Sequence, residues 1–298
     1  MRFDVQHRDC FESLAAMRDA GGVDLILTSP PYPDARTPEA YGAEFDTSLA
    51  GYGRLGDAVF EALKPGGVCA LNIDGPVRKW RAECPNPLAE GAEIGSERSL
   101  IAFEVALDWA KRVGFRYVEH CAYVRDGMPG RFGPRWRSGW ELVHLFARPG
   151  ATVNFDPTAY TVASRHKGKR EHKRGSRAKG QQPSGVRGWE VDDGTRQVTS
   201  ALKCYVSRHS ADIDHEAPFD STLADAYVLC YSPPGGLVGD PFVGSGTVAF
   251  ACHRHGRRFI GGDLGVRHTH KGRQCGRRWA DIVKDGLRQT TLFDALES

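Results

Sequence analysis

The stretch GDPFVGSGTVAFACHRHGRRFIGGDL, residues 239–264, reads as a glycine-rich turn, a helix and a strand in immediate succession. Gly244 and Gly246 stand in GxG spacing ahead of TVAFACHRHG (247–256), which Gly256 closes. FIGGDL (259–264) follows as a short apolar run carrying Asp263 at its end. Glycines let the backbone approach a ligand closely at a helix N-terminus, and an acid about 20 residues on can accept from ribose hydroxyls. The pattern predicts a nucleoside-bearing cofactor. Residues 244–249 also satisfy the GxGxxA spacing of dinucleotide enzymes. Only about 50 residues follow, however, too few for the second half of a double Rossmann domain, so the remaining strands must come from the N-terminal side.

Those strands are visible as apolar runs bounded by turn signals: VDLILT (23–28), GVCALNI (67–73), YVEHCAYV (117–124) and ELVHLFA (141–147). Between them, SLIAFEVALDWAKRVG (99–114) places Ile101, Val105, Ala106, Trp109 and Val113 on one helical face, with Gly114 as its stop. Buried strands alternating with amphipathic helices predict an α/β fold with a doubly wound, mostly parallel sheet. Residues 150–215 break this rhythm and read as an insertion. The 298 residues are 40% hydrophobic and 26% charged, enough for a sizeable core and against disorder throughout. No apolar run reaches the roughly 18 residues of a membrane span, and Asp4 and Asp9 interrupt the N-terminus, which predicts a cytoplasmic protein without a membrane partner. The eight cysteines (10, 69, 84, 121, 204, 230, 252 and 275) form no CxxC pair and suit a reducing compartment as small buried hydrophobes.

Charge is distributed unevenly. Residues 165–188 hold nine Lys/Arg against the single acid Glu171, a net of +8 inside a chain of net +3, so everything else sums to −5. With Val186 as its only large aliphatic residue, the segment cannot bury a face and predicts a polyanion-binding arm.

The second informative stretch is VDLILTSPPY, residues 23–32. Pro30 and Pro31 remove two N–H donors, fix φ and deny the Ser29 and Pro30 carbonyls their usual ladder partners. The result is a rigid cluster of acceptors beside the Tyr32 ring, suited to gripping a planar group that carries an NH2. The plainer reading is a stiff loop entry with Tyr32 in the core. YSPPGG (231–236) repeats the prolines without the aromatic residue and reads as a turn.

TSPPY, then LKPGGVCALNI, a basic variable region, DPFVGSGT and FIGGDL, in that order, resemble the amino-group DNA methyltransferases whose catalytic motif precedes the S-adenosylmethionine motif. The resemblance spans most of residues 5–264 and implies a Rossmann-like fold with circularly permuted motif order. It implies a catalytic half (1–149), a basic target-recognition insertion (150–210) and a cofactor-binding half (211–298). Ser29 and the Pro30 carbonyl would accept from the target amino group, with Pro31 and Tyr32 completing the motif and Tyr32 stacking on an extruded base. An exocyclic amino nitrogen is a poor nucleophile until acceptors localise its lone pair. Asp9, Cys10, Phe219, Asp240, Pro241, Phe242, Gly244, Ser245, Gly246, Thr247 and Asp263 match cofactor-binding positions, although Asp9 and Cys10 also read as a helix cap and a core thiol.

The SPPY form resembles the N4-cytosine branch, where the N6-adenine branch more often has Asp or Asn at position 29. The implied activity is site-specific transfer of a methyl group from S-adenosylmethionine to cytosine N4 in double-stranded DNA by base flipping. N6-adenine and, further off, RNA methylation are the alternatives. Arg165, Lys167, Lys169, Arg170, Lys173, Arg174, Arg177 and Lys179 are the expected DNA-binding residues. The resemblance leaves room for a homodimer and for a restriction-modification system with a cognate endonuclease. One departure is GVRHTHKGRQCGRRW (265–279), which intervenes where the family continues with a helix. Its His and Cys residues match no closed four-ligand zinc pattern, so no metal is expected there.

Overall fold

The computed structural model describes residues 3–32, 45–75, 77–80, 95–126, 139–163, 195–205, 220–268 and 274–297. Eight strands build the main sheet: β1 (Phe3–Gln6), β2 (Val23–Thr28), β3 (Leu63–Asn72), β4 (Arg116–Asp126), β5 (Trp140–Ala147), β6 (Ala201–Tyr205), β7 (Leu237–Asp240) and β8 (Arg258–Gly262). Their spatial order is β1-β8-β7-β2-β3-β5-β4-β6. Only β5 runs against the rest, pairing antiparallel with β3 and β4. Helices α1 (Cys10–Asp19), α2 (Leu49–Ala62), α3 (Ile101–Asp108), α4 (Ser221–Tyr231), α5 (Thr247–Arg254) and α6 (Trp279–Glu297) complete the frame. Among the described residues, three two-stranded ribbons lie outside the main sheet.

Alternation along the central strands sends side chains to two cores. Val68 and Ala70 of β3 join Leu25 and Leu27 under α4, α5 and α6. Cys69, Leu71 and Ile73 join Ile26 under α1, α2 and α3. A sheet buried on both faces needs such continuous apolar runs, which is why VDLILT reads as a strand at all. Asp9 caps α1 through a capping box, its carboxylate accepting from the Glu12 N–H at 2.8 Å and its own N–H donating to the Glu12 carboxylate at 3.1 Å. α3 runs into a π-helical turn, Trp109–Val113, ended by Gly114 at φ +98°. That turn sets Trp109 fully inside the core, its indole N–H donating to the Tyr52 carbonyl at 2.9 Å.

The expected fold holds, with short elements added that carry no clear local signal. β7 is four residues long, and β1 pairs with β8, so the N-terminal segment completes the sheet beside the C-terminal strands. β6 lies in the stretch read as an insertion, yet it extends the main sheet beside β4, with Leu202 buried. A short edge strand has too few alternating residues to be distinguished from a loop. YSPPGG is a turn, with Gly235 at φ +72° and the Gly236 N–H donating to the Pro233 carbonyl. The five cysteines with described side chains (10, 69, 121, 230 and 252) are free and buried. Among the described residues no helix is long and apolar enough to cross a membrane, and no cluster of three His, Cys, Asp or Glu could hold a metal.

Candidate active site

β2 and β7 are neighbours whose onward connections leave in opposite directions, β2 through α2 to β3 and β7 through α5 to β8. Doubly wound sheets bind ligands outside the carboxyl ends of strands at such a switch point. A cleft of about 380 Å³ opens there. It gathers Asp9 and Cys10 from the start of α1, Ser29 and Pro31 from beyond β2, and Asp240, Pro241, Phe242, Gly244, Ser245, Thr247 and Asp263 from the glycine-rich region.

The two distant motifs meet in one buried hydrogen bond, from the Thr28 hydroxyl to Asp240 Oδ1 at 2.8 Å. The Phe242 N–H donates to the same oxygen at 3.0 Å. Burial pushes the Asp240 carboxyl up to about 7 against these two bonds, and the nearby Asp263 charge adds to the rise. Asp263 fastens the turn from the other side: Oδ2 accepts from the Gly244 N–H at 2.7 Å and Oδ1 from the Gly265 N–H at 2.6 Å. Burial raises its pKa as well, opposed by those backbone bonds. Each carboxylate oxygen keeps a second lone pair, so Asp263 can still accept from a ligand hydroxyl.

Other expected site residues divide by location. Asp9 is a helix cap and Cys10 a buried thiol pushed up to about 12 by burial, and both also border the cleft. Gly246 does not line the cleft; it begins α5 at φ +86°, and a Cβ there would lie 2.6 Å from Val283 Cγ2 on α6. Of the GxG pair, Gly244 faces the ligand space and Gly246 serves turn and packing. Pro30 is buried, and the Pro31 carbonyl accepts from the Tyr52 hydroxyl. Tyr32 packs against the second core behind Ser29, its hydroxyl 3.4 Å from Ser29 Oγ. It donates toward Asn72 Oδ1 at 3.1 Å and Glu141 Oε2 at 3.2 Å. Phe219 and the basic residues 165–179 lie outside the described residues.

Several lining residues carry no readable signal in the sequence. Asp46 and Arg54, ion-paired at 2.8 Å, face the cleft from around the start of α2, and Phe45 packs edge-on against Phe242. Hydrogen bonds from Ser48 and Arg54 hold the Asp46 carboxyl below its usual range. Trp279 also lines the cleft, and its N–H donates to the Gly265 carbonyl at 3.1 Å. Gly265 and Trp279 thus stand side by side, after which α6 supplies the delayed helix. The unusual insertion in the sequence was the available hint.

A doubly wound sheet with a carboxylate, aromatic rings and a glycine-rich turn at its switch point defines a nucleotide-cofactor-binding α/β enzyme class. A model of the "DNA methylase" family that joins N6 and N4 methyltransferases matches residues 23–270. The chain belongs to this S-adenosylmethionine-dependent family of DNA amino-methyltransferases. The orphan methyltransferase M.BamHII of Bacillus amyloliquefaciens is 25% identical over 254 residues, covering 81% of this chain and 84% of that protein. The fold is shared with the PvuII DNA methyltransferase (cytosine-N4-specific), at TM-score 0.59 and 17% identity over 97% of this chain and 92% of that one. It is also shared with a putative DNA modification methylase from Thermus thermophilus complexed with S-adenosyl-L-methionine, at TM-score 0.57 and 20% identity over 96% of this chain and 93% of that one.

Proposed function

We propose that the chain transfers a methyl group to the exocyclic N4 of cytosine at specific sites in duplex DNA, acting on an extruded base. The observation that carries this reading is Ser29 at the border of the cofactor cleft with Tyr32 immediately behind it. When bound, S-adenosylmethionine supplies an electrophilic methyl carbon on a positively charged sulfur. Asp263 would accept from its ribose hydroxyls and Asp9 and Cys10 would border its base, while Phe242 and Trp279 give the cleft its aromatic walls. Ser29 and the Pro30 carbonyl accept from the target amino group and localise its lone pair. Serine at position 29, in place of an acid, supports cytosine over adenine.

Base extrusion costs a few kcal/mol, and stacking on an aromatic ring returns roughly 1–3 kcal/mol. Mass spectrometry of nucleosides from DNA treated with the protein and methyl-labelled cofactor is expected to show N4-methylcytosine, which disappears with Tyr32→Ala while cofactor binding persists. Labelled N6-methyladenine would keep the chemistry and correct the base; no labelled nucleoside would refute the DNA reading.

The basic arm supplies the electrostatic part of DNA binding in this reading. Alanine at Lys167, Lys169, Arg170, Lys173 and Arg174 is expected to flatten the log–log dependence of DNA affinity on salt, by about 0.9 for each phosphate that is no longer neutralised. An unchanged slope in a salt titration would remove the arm from the DNA backbone.

A further inference from the structure

The hydrogen bonds behind Ser29 reach a carboxylate through one phenol. We propose that Glu141 takes the proton that the amino group must lose, through Ser29 and Tyr32. The proposal rests on the amino-methyl-transfer reading and applies to either base.

As the amino nitrogen gains the methyl carbon, the donor's carbon–sulfur electron pair returns to sulfur, and the nitrogen is positively charged until an N–H proton leaves. A serine hydroxyl cannot hold that proton at neutral pH; it can accept it only while giving up its own. Ser29 Oγ donates to Tyr32 Oη at 3.4 Å, and Tyr32 Oη donates to Glu141 Oε2 at 3.2 Å. Each hydroxyl gains one proton and passes one on, so both end neutral and Glu141 ends as a carboxylic acid. Glu141 is partly exposed near the start of β5 and can release the proton to water. Asn72 Oδ1, at 3.1 Å, is the alternative acceptor for the single Tyr32 proton, and the Asn72 amide is itself anchored by donation to the Leu142 carbonyl at 2.9 Å. An amide oxygen is too weak a base to keep a proton, so Asn72 holds the phenol in place and Glu141 receives the charge. A serine-type motif lacks the carboxylate that an acid at position 29 would offer, and this chain provides one two hydroxyls further back.

Tyr123 is the register partner of Glu141 on β4. Asp74, just beyond the end of β3, is ion-paired with Arg98.

The test is single-turnover methyl transfer to plasmid DNA with tritiated S-adenosylmethionine, for the wild-type chain, Glu141→Gln, Tyr32→Phe and the double variant. Glutamine keeps an acceptor for Tyr32 and cannot take a proton; phenylalanine keeps the ring and cuts the chain. Each single variant is expected to slow transfer by about 100-fold or more, the ordinary scale of acid–base catalysis. The double variant is expected to be no slower than the worse single, because both break one relay. Cofactor affinity is expected to be unchanged in every variant, so that the loss lies in the transfer step. An active wild type whose Glu141→Gln variant keeps its rate overturns the relay alone, as do two single losses that multiply in the double variant. A wild-type chain that labels no base overturns the proposed function itself, before any variant is compared.

Discussion

Asp240→Asn is expected to make the protein more stable than wild type at pH 8 relative to pH 4, although it alters a buried polar residue at the centre of the site. The asparagine Oδ1 still accepts from Thr28 and Phe242, and the substitution removes only the capacity to ionise. Asp240 rises from 3.8 to about 7 in the folded chain, chiefly because burial disfavours its charge. A group raised in this way contributes stability that is full below its unfolded value and is lost as the pH climbs through about 7. The interval corresponds to about 4 kcal/mol at 1.36 kcal/mol per pH unit. Asp263 is raised too and acts in the same sense, while Asp46 and Asp156 are lowered, exposed and of little weight. Any cost of placing the amide NH2 is independent of pH, so the pH trend isolates the charge. Urea unfolding of both proteins at pH 4 and pH 8 measures it; a difference between them that stays constant would return Asp240 to the ordinary carboxylate range.

Gly246→Ala is expected to cost about 2–6 kcal/mol, a large share of a typical domain's stability. Two separate penalties add: a left-handed backbone at φ +86°, worth about 1–3 kcal/mol for a residue with a Cβ, and overpacking against Val283, worth about 1–3 kcal/mol. Combining Gly246→Ala with Val283→Ala separates them, since the smaller partner relieves the clash and leaves the backbone strain. Thermal unfolding that shifts by less than the equivalent of about 0.5 kcal/mol for Gly246→Ala would mean that α6 moves aside freely.

Much of the fold is legible along the chain because its central strands are buried on both faces. VDLILT matches β2 residue for residue, and the runs at 117–124, 141–147 and 259–264 each fall within one or two residues of a strand end. The run at 67–73 is too short at its front: β3 begins at Leu63 and takes in Pro65 and Gly66, residues that punctuate a sequence as a turn would. Its pairing with β2 absorbs them through a register shift between Val23 and Leu25. The expected helical face also holds, with Ile101, Val105, Ala106 and Trp109 buried and Val113 partly buried against the same core. What the periodicity does not reveal is the π-helical turn at Trp109–Val113.

At the site, the chemistry-bearing residue types can be read without any coordinates: acceptors fixed by two prolines, a glycine-rich turn before a helix, and an acid after the next strand. Each is a local arrangement, and local arrangements leave local signals. Which of them share a space is a matter of packing over long separations. The Thr28–Asp240 bond spans 212 residues, Trp279 reaches the cleft after an excursion, and Glu141 meets Tyr32 across 109 residues. Such contacts follow from strand order in the sheet, set by the packing of two cores at once, and no spacing along the chain encodes them.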